Sequence, residues 1–166
     1  MNDRVFFEWV DSMSVGIPEI DAQHRELINI LNRLFVSVVE RDKDKVTIEI
    51  LDALIDYTKT HFALEEQLME EAGYDSLEFV AHKDTHQRFV EKVGQAAQKN
   101  LVEGKSISFE MIHFLRNWLR DHIMDTDQRY AECLKNSVAT RKWEQTANAV
   151  MLQKQNAVPK PWWKIW

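Results

Sequence analysis

Between Pro18 and Pro159 the chain contains no proline, and its third proline is Pro161. Proline is the residue that most strongly interrupts a helix, because it lacks an amide donor and clashes with the preceding turn. The whole interval is therefore free to be helical, and its apolar residues recur at helical spacing. The first helix opens at "PEID", where Pro18 suits an early helical position and Glu19 and Asp21 suit the positive end of the dipole. Ile20, Leu27, Ile28, Leu31, Leu34, Phe35 and Val38 then share one stripe with His24.

A second helix is expected from about Asp44 to Glu71, with Val46, Ile50, Leu54, Tyr57, His61 and Leu68 on one face and Gly73 at its end. "DSLE" at 75–78 resembles a capping box that opens a third helix, whose face holds Phe79, His82, His86, Phe89, Val93 and Ala97 and which Gly104 closes. A fourth starts near Ser106 and presents Met111, Leu115, Trp118, Leu119, His122, Ile123 and Tyr130.

Short polar connections between long helices can join only antiparallel neighbours. The expected fold is all-α, an up-and-down antiparallel four-helix bundle, with residues 1–17 (Phe6, Phe7 and Trp9 among them) as an arm laid against it. Past Ala131 the pattern weakens, although Leu134, Val138, Ala147 and Val150 allow a fifth helix; "VPKPWWKIW" cannot continue one. The expected organisation is residues 1–131 as the bundle with its arm and residues 132–166 as a C-terminal extension with a Trp-rich tail.

The net charge of −6, with acidic residues scattered among lysines, argues against a phosphate-binding surface and so against nucleic acid. Cys133 is the only cysteine, which excludes an intrachain disulfide. The start "MNDRVFFEWV" lacks the apolar core of a secretory signal. No run approaches the roughly twenty apolar residues of a membrane span. A cytoplasmic location is the expectation.

The chain has six histidines, and the bundle predicts where each one sits. At about 1.5 Å rise per residue, His24, His82 and His86 lie just above the starts of odd helices, while His61, Glu65 and His122 lie a similar distance before the ends of even ones. Starts of odd helices and ends of even helices share one end of the bundle, so these side chains converge on a layer about 10 Å deep. His113 fails both tests, being about half a turn away from His122 and too far from that end.

A single apolar-face histidine is ordinarily a packed core residue. Five at one level are hard to explain so, because each neutral ring carries a polar nitrogen that needs a partner. A metal satisfies them together. His61 with Glu65, and His82 with His86, are i, i+4 pairs whose side chains project from one face. Five imidazoles with carboxylates exceed the needs of one ion and suit two neighbouring metals bridged by carboxylates. Cys133 lies outside the layer. In "DHIMDTD" the spacing leaves two carboxylates open: Asp125 fits an ideal helix, whereas Asp127, about 140° from His122, fits only a helix that widens locally.

The pattern resembles the hemerythrin family in its bacterial single-domain form. The resemblance rests on "VGIPEIDAQH" at 15–24, "HFALEE" at 61–66, "HKDTH" at 82–86 and "HIMDTD" at 122–127, supported by "YTKTHF" and "FLRNWLRDHI", and spans about residues 5–131. It implies a non-haem di-iron centre with an oxo or hydroxo bridge. His24 and His61 would bind one iron, His82, His86 and His122 the other, and Glu65 and Asp127 would bridge them. The resemblance thus selects Asp127 over Asp125. It further implies reversible dioxygen binding at the iron with two histidines, and hence an oxygen-binding protein for storage, delivery or scavenging rather than an enzyme. Sensing, and redox catalysis on peroxide or nitric oxide, are the alternatives.

Glu66 points about 100° from Glu65 on the helix and reads as a solvated charge. Trp162, Trp163 and Trp166 alternate with lysines in the tail, a composition suited to a membrane surface, a protein partner or folding back on the bundle. A monomer is expected.

Overall fold

A computed structural model describes residues 5–41, 44–103, 107–138, 140–142 and 145; the side chains of residues 44 and 100–103 are not among what it describes. Four antiparallel rods form the bundle expected from the sequence. They are α1 (Pro18–Val39), α2 (Asp44–Glu71), α3 (Ser76–Glu103) and a fourth rod made of α4 (Phe109–Asp121), a π-helical turn (His122–Thr126) and α5 (Asp127–Lys135). No helix among the described residues is long and apolar enough to cross a membrane.

Local chemistry sets the rod ends. Pro18 stands in the first turn of α1 with Glu19 and Asp21. Asp21 is also buried, accepting hydrogen bonds from Ser14 Oγ at 2.5 Å and the Val15 amide at 2.8 Å, so it ties the incoming arm to the helix start. Gly73 ends α2 with φ +69°, donating to the Glu70 carbonyl while Tyr74 donates to Met69, a pattern that needs a residue tolerant of the left-handed region. Asp75 Oδ1 accepts from the amides of Leu77 and Glu78, each at 3.0 Å, and so caps α3. Ser108 caps α4 by accepting from the Met111 amide at 3.2 Å. The fourth rod therefore begins two or three residues later than the apolar pattern suggests, after a buried Ile107. Gly104 and Ser106 lie outside the described residues.

The stripe on α2 is rotated from the expected one. Val46 is 40% exposed, and the buried line runs through Thr47, Leu51, Leu54, Thr58, His61, Phe62, Glu65, Leu68 and Met69. Two threonines can face the interior because their hydroxyls are satisfied there, Thr58 by the Leu54 carbonyl at 2.7 Å and Thr47 by Ser37 at 2.7 Å.

The arm packs on the bundle as expected. Asn32 of α1 accepts from the amides of Phe6 and Phe7 and donates to the Phe7 carbonyl, the ring of Phe6 stacks on Phe35 at 4.2 Å, and Trp9 is brought to 6.4 Å from the ring of His24. Beyond Lys135 the described residues 138, 140–142 and 145 are helical. Ala147, Val150 and the tryptophans of the tail lie outside the described residues.

Two apolar clusters fill the bundle. One, with Leu27, Leu31, Leu54, Phe89, Leu115 and Leu119, occupies the greater part of its length. The other, with Val15, Ile17, Ile20, Leu68, Met69 and Tyr130, closes one end. A layer of buried polar side chains lies between them: His24 stands between Ile20 and Leu27 on α1, and Glu65 between Phe62 and Leu68 on α2.

Candidate metal centre

All seven residues singled out in the sequence reach this layer. His24, His61, Glu65, His82, His86, His122 and Asp127 are each at most 4% exposed. His113 is exposed on α4 and sits edge-on to Phe6 at 5.3 Å, away from the others.

The two carboxylates divide their oxygens between two sets of imidazoles. Glu65 Oε1 lies 3.5 Å from His61 Nε2 and 3.7 Å from His24 Nε2, while its Oε2 lies 3.4 Å from His86 Nε2 and 3.9 Å from His82 Nε2. Asp127 repeats the division, with Oδ2 at 3.3 Å from His24 Nε2 and Oδ1 at 3.1 Å from His122 Nε2 and 3.6 Å from His82 Nε2. Two groups able to hold a cation result, His24–His61–Glu65 and Glu65–His82–His86–His122, with Glu65 common to both.

The backbone sets Asp125 and Asp127 apart. Residues 122–126 form a π-helical turn in which the Asp127 amide donates to the His122 carbonyl, five residues back. That extra residue per turn brings Asp127 onto the same face as His122. Asp125 is left outside, 71% exposed and paired with Arg129 at 2.9 Å.

Three partners of the layer were missed in the sequence. His61 Nδ1 donates to Gln23 Oε1 at 3.0 Å, and His86 Nδ1 to Glu66 Oε1 at 2.9 Å. Because both acceptors are oxygens, each ring carries its proton on Nδ1 and turns the lone pair of Nε2 inward, the usual way of orienting a ligating histidine. Glu66 is thus no solvated charge. It does point away from Glu65, but α3 stands on that side and places His86 and Lys83 against it. The third is Tyr130, whose hydroxyl donates to Glu65 Oε1. Its apolar ring read as core; the destination of its hydroxyl is a cross-rod contact with no signal in local spacing.

Burial and charge pull the titrations apart. Burial holds His61 down to about 3 and His122 well below the usual imidazole range. Burial opposes the charged form of His24 too, but the carboxylates of Asp127 and Glu65 close to it prevail and raise it to about 9. Glu65 is pushed up by burial, then held well below the carboxylate range by His61 and its other imidazole neighbours. Asp127, buried and beside the charge of Glu65, rises to about 7. Burial and the charges of Asp127 and Glu65 keep Tyr130 protonated well beyond its ordinary range, so it remains a donor.

Whether these residues suit metal ions can be judged from their unmet bonding. Apart from Trp9 Nε1, the buried side-chain atoms without a hydrogen-bond partner among the described residues are His24 Nδ1 and Nε2, Glu65 Oε2, His82 Nε2 and both oxygens of Asp127. His86 Nε2 and His122 Nε2 face each other at 2.9 Å. Leaving so many lone pairs buried without donors is costly, and cations at their common focus remove the cost. The donor set of imidazole and carboxylate, with no thiolate, suits a borderline ion such as iron.

The fold and this layer define a metal-binding four-helix bundle of the histidine–carboxylate type. A family model described as the hemerythrin HHE cation binding domain matches residues 15–134. A bacteriohemerythrin of Stenotrophomonas maltophilia is 41% identical over 127 residues, 76% of this chain and 80% of that protein. Another, of Clostridium acetobutylicum, is 32% identical over 131 residues, 76% of this chain and 99% of that one. A crystal structure of wild-type hemerythrin superimposes with a TM-score of 0.72 at 28% identity, covering 78% of this chain and 98% of that chain. The chain belongs to the hemerythrin family, whose cofactor is a non-haem di-iron centre.

Proposed function

We propose that this protein binds dioxygen reversibly, as a store, carrier or scavenger rather than an enzyme, at two irons held by the buried layer. His24 and His61 hold one iron, His82, His86 and His122 the other, and Glu65 and Asp127 are shared. The division of carboxylate oxygens between the two histidine sets supports this assignment. Iron held there would supply the electrons on which reversible dioxygen binding depends.

The protein's own contribution is an apolar space beside the layer. A cavity of about 10 Å³ lies on the bundle axis, lined by Leu27, Leu31, Leu54, Thr58, Phe62, Phe89, Leu115, Trp118 and Leu119. Leu27, Thr58 and Leu119 each stand three residues, about one helical turn, from His24, His61 and His122. That space is at the lower limit for a single water, and a buried water needs two or more polar partners. Thr58 brings the only hydroxyl in the lining; its proton is committed to the Leu54 carbonyl, which leaves its oxygen as one acceptor, too few for a stable water. An apolar space of this kind disfavours water. This cavity is the observation that carries the proposal.

The test is absorption spectroscopy of the purified, ferrous-loaded protein through repeated cycles of air exposure and deoxygenation, with iron content measured alongside. The spectrum is expected to change in air and to return in every cycle. Oxidation that does not reverse, accompanied by turnover of peroxide or nitric oxide, would instead establish a redox enzyme.

A further inference from the structure

The seven residues of the layer are almost completely enclosed, so the ions must cross the helix wall to reach them. Three spaces among the described residues border the layer. The axial cavity is apolar and too small for a hydrated cation. The groove of about 760 Å³ between α2 and α3 is roomy, but its floor is shut: Phe62 stacks on the ring of His86 at 3.6 Å, and Lys83 sits beside Glu66. The third is a vestibule of about 160 Å³ between α3 and the fourth rod, lined by polar side chains of Tyr74, Glu78, Thr85, Thr126 and Arg129, with His82 as its floor.

The vestibule has two features of an entrance. Its floor is a histidine 4% exposed, whose Nε2 faces Asp127 and Glu65. The outer nitrogens of His61 and His86 are tied to Gln23 and Glu66, and no comparable side-chain hydrogen bond to His82 is seen among the described residues. Swinging that ring outward toward the vestibule gives up only its long contacts to Asp127 at 3.6 Å and Glu65 at 3.9 Å. At the mouth, Arg129 spans two carboxylates from opposite walls, Asp125 at 2.9 Å and Glu78 at 3.8 Å. All three are half exposed or more, and exposed pairs of this kind are weak. The Asp125 wall belongs to the π-helical turn that also positions Asp127.

We infer that this vestibule is the route by which a hydrated divalent cation enters the centre, with Glu78 and Asp125 as capture carboxylates and Arg129 as the plug displaced by the arriving ion. The inference rests on the metal-centre assignment above. Its test uses Co²⁺ added alone to the metal-free, full-length protein, with uptake followed by stopped-flow absorption.

Arg129→Gln is expected to load about two- to fivefold faster than wild type, the range set by loss of weak surface pairs, with the same final cobalt stoichiometry. Adding Glu78→Gln to that variant removes capture without a plug to release, so the double variant is expected to load more slowly than Arg129→Gln alone. Amide exchange across 122–135 is measured on the same samples. Faster loading with unchanged exchange supports the route; faster loading matched by faster exchange means entry by fraying and overturns it. Equal rates in wild type, single and double variants overturn it as well. Wild-type protein that takes up no cobalt would refute the metal centre itself, and the route with it.

Discussion

Replacing Tyr130 by Phe removes one hydroxyl from a fully buried ring and nothing else. That hydroxyl donates to Glu65 Oε1, and the carboxylate, held well below the usual range, is ionised at neutral pH. The ring itself keeps its packing, including its place 5.5 Å from His82, so the cost is that of the bond and not of a cavity. A hydrogen bond to a charged group contributes about 1.5–3 kcal/mol, and Tyr130→Phe should lower the stability of the metal-free protein by that amount. Urea unfolding at pH 7.5 should show a midpoint lower by about 1 M with an unchanged slope. The same substitution in a Glu65→Gln background should cost about half as much, because a neutral acceptor forms a bond roughly half as strong. A midpoint that does not move, or an equal cost in both backgrounds, would refute the claim that Tyr130 acts through the charge of Glu65.

Glu66→Ala should weaken metal binding about 10–100-fold in competition with a chelator, because His86 loses the acceptor that fixes its tautomer; Glu70→Ala, on the exposed side of α2, is the control and should leave affinity unchanged. Asp127→Asn should reduce the bound iron measured by metal analysis, whereas Asp125→Asn should retain it in full. Between pH 7 and 9.5 the metal-free protein should lose about 2 kcal/mol through His24. Its folded form holds the proton up to about 9 while the unfolded chain releases it near 6.5, so the stabilisation is complete below 6.5 and lost as pH rises through 9. Urea midpoints across that range check it, and His24→Ala should flatten the dependence.

How much of this was visible in the sequence divides along one physical line. Whatever depends on a single rod was legible. The proline-free interval, the cap at Asp75, the stop at Gly73 and the convergence of five histidines all follow from rise per residue and backbone preference. Whatever depends on how one rod is turned against another was not. The rotated stripe of α2, the meeting of Glu66 with His86 and the reach of Tyr130 to Glu65 are contacts between helices, and nothing in local spacing reports them.

The fourth rod shows both at once. An unbroken α-helix would present Asp125 beside His122 and send Asp127 away, so the spacing left the two open. The π-helical turn reverses that order at the cost of irregular backbone in mid-helix, which is retained only where something compensates for it. Here the compensation is the carboxylate itself: the turn carries Asp127 into contact with His24, His82 and His122, on both sides of the layer, and leaves Asp125 at the surface with Arg129. One inserted residue thus separates an inner carboxylate from an outer one two positions away. On the proposals above these become a shared ligand and a capture site, so that the distortion which completes the centre also builds one wall of its entrance.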